Sequence, residues 1–161
     1  MSFLPIPDIL EELKAGKPIV LVDDEDRENE GDLVYAAEKI TPAAMNFILV
    51  HGRGTVCLSL TGEQCDKLRL HPQTDLNTSA LGTAFTVTVD AHPRFGVSTG
   101  VSARDRATTV QVAVALPGRS AQIASSSACA AALAARLAIA VTRLNHRIGR
   151  RVRCAIAGVQ S

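Results

Sequence analysis

The chain has 161 residues, of which 47% are hydrophobic and 20% charged, and its formal net charge is +1. A single domain of this length, spanning residues 1–161, buries about two thirds of its unfolded surface and needs no disulfides to hold a core. With no Trp and one Tyr, it lacks the aromatic side chains on which nucleic-acid-binding modules stack bases. No secretory leader pattern is visible, and the apolar run Ala128–Val141 is interrupted by Arg136 and too short to cross a bilayer. We therefore expect a cytoplasmic protein that binds neither nucleic acid nor membrane.

The charges are divided unevenly along the chain. All 16 acidic residues lie at or before Asp105, whereas residues 106–161 contain eight arginines and no Asp or Glu. Such a basic tail is compatible with nucleic-acid binding, with a contact across a charged active site, or with poorly specified sequence.

The first elements follow from apolar spacing and from capping residues. Helical spacing of Ile9, Leu10 and Leu13 predicts a helix over Asp8–Lys17, which Gly16 ends. Two strands are predicted next, on either side of a charged loop, and then a helix that begins at an N-cap followed by proline. Their bounds are Pro18–Val22 and Leu33–Ala37 for the strands, Asp23–Asp32 for the loop and Thr41–Val50 for the helix.

The rest of the chain continues the alternation of strands and helices. A capping box at Thr61–Gln64 predicts a short helix, and strict alternation predicts a half-buried strand. The predicted elements are a strand Thr55–Leu60, that short helix, a strand Thr83–Asp90, a helix from Ser102 to Ala115 and an Ala-rich helix Ala128–Leu144. This order predicts an α+β (α/β-like) fold, with a mixed β-sheet flanked by helices.

The segment Asp23–Asp32 is the most informative part of the sequence. Seven of its ten side chains are carboxylates, and so much like charge is unfavourable unless a cation joins it. Hard oxygen ligands suit Mg²⁺ or Mn²⁺. Arg27 lies among the acids, where a guanidinium can clamp a phosphate or carboxylates, and Gly31 permits unusual backbone angles. The alternative is an ordinary solvated, charged turn.

The segment Val22-Asp-Asp-Glu-Asp-Arg-Glu-Asn-Glu-Gly-Asp-Leu33 closely resembles the hallmark loop of the 3,4-dihydroxy-2-butanone 4-phosphate synthases of riboflavin biosynthesis. The resemblance extends over residues 6–111. It continues through Ala37-Glu-Lys-Ile-Thr41, Gly54-Thr-Val-Cys-Leu58, Asn77-Thr-Ser79, Gly82-Thr-Ala-Phe-Thr-Val-Thr-Val-Asp90 and Thr99-Gly-Val-Ser-Ala-Arg-Asp-Arg-Ala-Thr-Thr109.

The resemblance implies a homodimeric lyase that converts ribulose 5-phosphate to 3,4-dihydroxy-2-butanone 4-phosphate and formate, with Mg²⁺ or Mn²⁺ as cofactor. It implies that Arg27 and Glu28 contact the substrate, that Glu28 also ligates the metal, and that Asp32 binds substrate. A carboxylate beside the carbonyl can remove the carbon-bound proton as a general base. Further residues match positions in or near the site, namely Glu30, Cys57 and Thr99. From the residues alone, Cys57 is more typical of a small buried side chain than of a site residue, and Thr99 and Ser102 are more typical of helix caps than of phosphate ligands.

The tail, residues 112–161, departs from the family. The resemblance leads us to expect an Arg-x-Gly-His-Thr-Glu segment that grips phosphate and completes the metal site, and then a closing glutamate. Arg143 and His146 keep the Arg-x-x-His spacing of that segment, so Arg143 is a candidate phosphate ligand and His146 a candidate metal ligand. The remaining residues of the segment differ and the glutamate is absent. We therefore expect little synthase activity, and the alternative is a catalytically inactive or frame-altered relative that acts as a binding protein or has no function.

Overall fold

The structure, a computed structural model, describes residues 4–22, 30–79, 84–115, 123–125, 130–131 and 140–144, the last three ranges by their backbone alone. Helix α1 (Ile6–Lys14) is followed by a left-handed Gly16, with φ of 75°, which turns the chain into strand β1 (Ile19–Val22). Ile9 and Leu13 of this helix are buried against Val34, as the predicted helical spacing requires.

Four strands form the main sheet, in the order β1, β2, β8, β3. Strand β2 is Gly31–Val34, β3 is Cys57–Leu58 and β8 is Ala140–Leu144. The sequence analysis expected a mixed sheet, and every strand pair within the described residues is antiparallel. The α+β class is confirmed, since helices pack with this sheet in three hydrophobic clusters.

Two helices supply four of the seven buried residues of one of these clusters. Helix α2 (Pro42–Gly52) begins at Thr41, whose side chain accepts a hydrogen bond from the backbone N–H of Ala44 at 3.1 Å, as the predicted N-cap requires. Helix α4 (Ala103–Ala115) contacts α2 extensively. Each large apolar side chain buried here contributes about 1.5–3 kcal/mol. The buried residues of the cluster are Tyr35, Ala37, Ile40, Met45, Ile48, Ala107 and Val110.

The third helix, α3 (Gly62–Leu68), confirms the predicted capping box. Thr61 Oγ1 accepts from the Gln64 N–H at 3.1 Å, and Gln64 Oε1 accepts from the Thr61 N–H at 2.8 Å. Within the described residues, every helix is too short or too polar to span a membrane.

The strand predicted over Thr83–Asp90 is divided into β4 (Phe85–Thr86) and β5 (Val89–Ala91). Strand β4 also forms an isolated antiparallel bridge between Thr86 and Pro72, in which the Val87 N–H donates to the His71 carbonyl at 2.8 Å and the Gln73 N–H donates to the Phe85 carbonyl at 2.8 Å. Strand β6 (Ile123–Ser125) pairs with β5, and β7 (Ala130–Ala131) pairs with β4.

The helix predicted over Ala128–Leu144 is wrong for the residues described there. Residues Ala130–Ala131 and Ala140–Leu144 are strands, and β8 lies between β2 and β3. Alanine has the highest helix propensity, but the propensity of a residue is a weak preference, and a strand position with backbone partners on both sides overrides it. Val141 and Thr142 are β-branched, which suits a central strand.

Candidate active site

The acidic segment lies in a hairpin between β1 and β2. Val22 and Gly31 are Cα partners in the antiparallel register, so residues 23–30 connect two positions that face each other across the ladder. Asp32, assigned to the loop by the sequence analysis, lies within β2 and is half-buried. Glu30 directly precedes this strand and is also half-buried. A strand fixes the direction of a side chain more closely than a loop does, so Asp32 is held rigidly.

Strand β8 brings the positions of three predicted site residues together. Asp32 is the Cα partner of Arg143, and Cys57 is the Cα partner of Val141. Residues directly opposite each other in a ladder share a face of the sheet, and so do residues two apart along one strand. Positions 32, 143, 141 and 57 therefore lie on one face, with neighbouring strands about 4.8 Å apart. Cys57 is half-buried. This degree of burial is compatible with both interpretations of the sequence, a small core residue and a residue that lines the site.

Three predicted site residues, Arg27, Glu28 and His146, lie outside the described residues. The side chain of Arg143 also lies outside them, although its backbone position is known. Within the part of the chain that the structure describes, no group of three His, Cys, Asp or Glu side chains is placed to hold a metal ion.

Thr99 lies in the turn that precedes α4, and its side chain is exposed. The residues on both sides of it are bound to one carboxylate oxygen of Asp105: Ser98 Oγ donates to Asp105 Oδ2 at 2.8 Å, and the Gly100 N–H donates to the same atom at 3.2 Å. The N–H of Asp105 in turn donates to Ser102 Oγ at 3.0 Å, which confirms Ser102 as the residue that caps α4.

Asp105 is a charged residue that the sequence analysis did not select. Only 3% of its surface is exposed. The Ser98 hydroxyl holds the pKa of Asp105 below its usual range; burial opposes this effect, and the N–H groups of Ser98 and Gly100 and the Ser102 hydroxyl assist it. The spacing Ser102-x-x-Asp105 is the capping pattern that could have identified it.

Gly100 is constrained in two ways in this turn, by its backbone angle and by a neighbouring side chain. Its φ is +76°, and a Cβ atom built on it would lie 2.3 Å from the carboxylate carbon of Asp90. The backbone of Gly100 thus lies between two carboxylates, with Asp90 packed against its α-carbon and Asp105 bound to its N–H.

A sequence profile of the family described as 3,4-dihydroxy-2-butanone 4-phosphate synthase matches residues 7–138, well over half of the chain. The chain belongs to the 3,4-dihydroxy-2-butanone 4-phosphate synthase family. The match extends past residue 111, where the recognisable motifs end, and includes most of the residues before β8.

Curated relatives agree with this synthase assignment. The riboflavin biosynthesis protein RibBA of Aquifex aeolicus is 53% identical over 113 residues, which are 70% of this chain and 28% of that protein. The 3,4-dihydroxy-2-butanone 4-phosphate synthase of Pseudomonas aeruginosa is 46% identical over 125 residues, which are 78% of this chain and 34% of that protein. The chain thus spans about a third of the length of these curated relatives.

Solved synthase structures share the fold. A 3,4-dihydroxy-2-butanone 4-phosphate synthase in complex with two magnesium ions is similar over 95% of this chain and 83% of its own, with a TM-score of 0.79 and 31% identity. A two-domain synthase from A. baumannii, RibBX, is similar over 94% of this chain and 51% of its own, with a TM-score of 0.79 and 30% identity.

Proposed function

We propose that this synthase-family chain binds ribulose 5-phosphate and a divalent metal ion and converts the sugar to 3,4-dihydroxy-2-butanone 4-phosphate and formate. The observation that carries the proposal is the register of β8, which sets the position of Arg143 opposite Asp32 and that of Val141 opposite Cys57. Asp32 and Arg143, which are both expected to bind substrate, come from separate parts of the chain, and their positions share one face of the sheet.

The metal is proposed to be Mg²⁺ or Mn²⁺, held by Glu28 and His146. Glu28 precedes Gly31 by three residues, His146 follows Leu144 by two, and Gly31 and Leu144 are Cα partners. An extended chain spans at most about 3.6 Å per residue, so the covalent connection keeps both α-carbons within roughly 11 Å of that pair. A synthase structure that contains two magnesium ions supports the choice of Mg²⁺. When bound, the ion polarises the sugar carbonyl next to the proton that is removed.

The chain's own residues have distinct proposed roles. Arg27 and Arg143 bind anionic groups of the sugar phosphate, and a guanidinium does so with a bidentate fork. Glu30 or Asp32 removes the carbon-bound proton as general base. Cys57 lines the same face of the sheet, and Thr99 contacts the substrate from the turn before α4.

The turnover of this chain is proposed to be low. The reaction needs a group that returns protons after the rearrangement, and residues 106–161 contain no Asp or Glu to supply it. Removing one member of a catalytic set that acts as a unit can cost most of the rate. The second candidate function is a relative that binds the sugar phosphate without converting it, and the similarity to curated synthases does not favour it.

The remaining proposals concern the whole protein. We expect a cytoplasmic homodimer, as the family resemblance implies, with residues 1–161 forming one domain.

The test is formate release from ribulose 5-phosphate by the purified chain, measured with and without Mg²⁺. The proposal predicts slow release that ends when EDTA removes the metal and returns when Mg²⁺ is added. Binding of ribulose 5-phosphate without any formate would favour the second candidate. Neither binding nor formate would overturn both.

A further inference from the structure

We propose that Asp105 is a positioning residue that fixes the turn Ser98–Gly100 and thereby presents Thr99 to the substrate, an inference that rests on the proposed function. Asp105 does not touch the reacting sugar in this assignment. It acts through the two residues that flank Thr99, and its role goes beyond that of a helix cap.

The hydrogen bonds single out this role. An ordinary capping carboxylate at the third helical position reaches back to the backbone N–H of the N-cap residue. Asp105 instead accepts from Ser98 Oγ at 2.8 Å and from the Gly100 N–H at 3.2 Å, both at the same oxygen. Because these two donors lie immediately before and after Thr99, they fix the turn on both sides of it.

Burial makes this arrangement costly to disturb. Only 3% of Asp105 is exposed, so water cannot stabilise its negative charge. The hydrogen bonds from these donors stabilise the charge instead. Hydrogen bonds to an ionised acceptor are about twice as strong as those between neutral groups. Thr99 itself is exposed and stays accessible to a ligand.

A second set of contacts holds the base of the turn. Gly100 packs its α-carbon against the carboxylate of Asp90, the central residue of β5, so a side chain at position 100 would have to displace Asp90. Thr109 Oγ1 donates to the Asp105 carbonyl at 3.0 Å and accepts from the Ala91 N–H at 3.0 Å. Asp105 therefore lies on a helix tied to β5, and the turn cannot shift without breaking one of these contacts.

The test combines a structural measurement with ligand binding. Asp105→Asn keeps the size of the side chain and removes its charge, and Ser98→Ala removes one donor at an exposed position. Amide hydrogen exchange at Gly100 reports the turn itself, and the Kd for ribulose 5-phosphate reports its consequence. Asp66→Asn, an exposed aspartate on α3, is the matched control.

We expect Gly100 exchange to accelerate at least about tenfold in Asp105→Asn, and the Kd to rise about tenfold in Ser98→Ala and in Thr99→Ala, since each loses one hydrogen bond. In a Thr99→Ala background, Ser98→Ala should change the Kd less than about twofold, because coupled residues are not additive. If Ser98 had only a structural role, Ser98→Ala would lower the melting temperature, and its effect on the Kd would not depend on Thr99.

The outcomes separate the two proposals. Unchanged Gly100 exchange in Asp105→Asn overturns the positioning role, whether or not ligand binds. Fully additive effects of Ser98→Ala and Thr99→Ala on the Kd overturn it as well. An unmutated protein that binds no ribulose 5-phosphate overturns the proposed function and the part that Thr99 plays in it. If Asp105→Asn fails to fold, Ser98→Ala tests the positioning role by itself, through the exchange rate of the Gly100 amide and the Kd for ribulose 5-phosphate.

Discussion

Asp32 on β2 and Arg143 on β8 are Cα partners in an antiparallel ladder, although 111 positions separate them along the chain. An acid from the hallmark loop thus lies beside an arginine from the divergent tail. Strand β8 also pairs with β3 beside Cys57. The tail therefore forms part of the sheet that carries the candidate site. Substitutions in the acidic segment and in the tail can both test this site.

Glu28→Gln should abolish the dependence of formate release on divalent metal, because an amide oxygen is a weaker ligand for a hard cation than a carboxylate. We expect a fall in rate of at least about a hundredfold at a fixed Mg²⁺ concentration, the range for loss of a group that acts only with its partners. Glu11→Gln is the control, since Glu11 is exposed and bound only to Lys14 on α1. An undiminished rate in Glu28→Gln would exclude Glu28 as a metal ligand.

Arg27→Lys should weaken ribulose 5-phosphate binding although the charge is kept. A lysine ammonium cannot reproduce the two parallel bonds of a guanidinium fork, and we expect the Kd to rise about tenfold or more. Arg53→Lys, at an exposed position after α2, is the control. Equal affinities for the unmutated protein and Arg27→Lys would mean that Arg27 is an ordinary solvated residue.

Three glycines allow strain and overlap at Gly100 to be measured separately. Gly62 has an ordinary φ and open space, Gly96 has a φ of +80° and open space, and Gly100 has a φ of +76° and the Asp90 carboxylate within 2.3 Å of a built Cβ. Gly62→Ala should be neutral or slightly stabilising, and Gly96→Ala should cost about 1 kcal/mol of unfolding free energy. Gly100→Ala should cost more than Gly96→Ala, as measured by urea denaturation. Equal losses at Gly96 and Gly100 would show that Asp90 moves away freely.

The contact between α4 and β5 should depend on the hydroxyl of Thr109. Thr109→Val keeps the shape but leaves the N–H of Ala91, a residue only 2% exposed, without its acceptor. The cost of such an unsatisfied donor is about 1–3 kcal/mol. Thr108→Val, the adjacent helix position, is the control and should change stability by less than about 0.5 kcal/mol. Equal stability of the two variants would mean that water or another group replaces the hydroxyl.

Local patterns predicted helices α1 to α4, but they failed in the Ala-rich tail, where the predicted helix is replaced by strands. The caps at Thr41, Thr61 and Ser102 are each formed by hydrogen bonds between residues three apart, and such bonds can be read from a short stretch of sequence. The family resemblance, carried by the acidic segment, predicted the family itself.

The elements that were mispredicted depend on distant partners. Strand β8 exists as a strand because β2 and β3 flank it, and no window of the Ala-rich tail contains that information. The strands β4 and β5 have different distant partners, since β4 pairs with β7 and β5 pairs with β6. Asp105 was missed for a different reason: a carboxylate between two arginines in the sequence suggests an ion pair, whereas its partners are a hydroxyl and an amide in the preceding turn.

The last prediction concerns the tail. Replacing residues 112–161 with the corresponding segment of the Pseudomonas aeruginosa relative should raise formate release at least about a hundredfold, because misplacing catalytic groups by about 1 Å already costs that much. The first part of the chain supplies the acidic segment, Cys57 and Thr99, and the match to that relative extends over 125 residues at 46% identity, so the joined chain should fold.

Glu28→Gln in the same chimera is the control that ties any gain to the acidic segment. The gain should vanish in this variant, since the tail alone lacks the metal-binding acids. The Kd for ribulose 5-phosphate should change far less than the rate, because Arg27 and the acidic segment are common to both proteins. A chimera no faster than the unmodified chain, although folded and able to bind substrate, would locate the defect in residues 1–111. An unmodified chain as fast as the chimera would show that the divergent tail builds an equivalent site, with Arg143 and His146 as its first candidates.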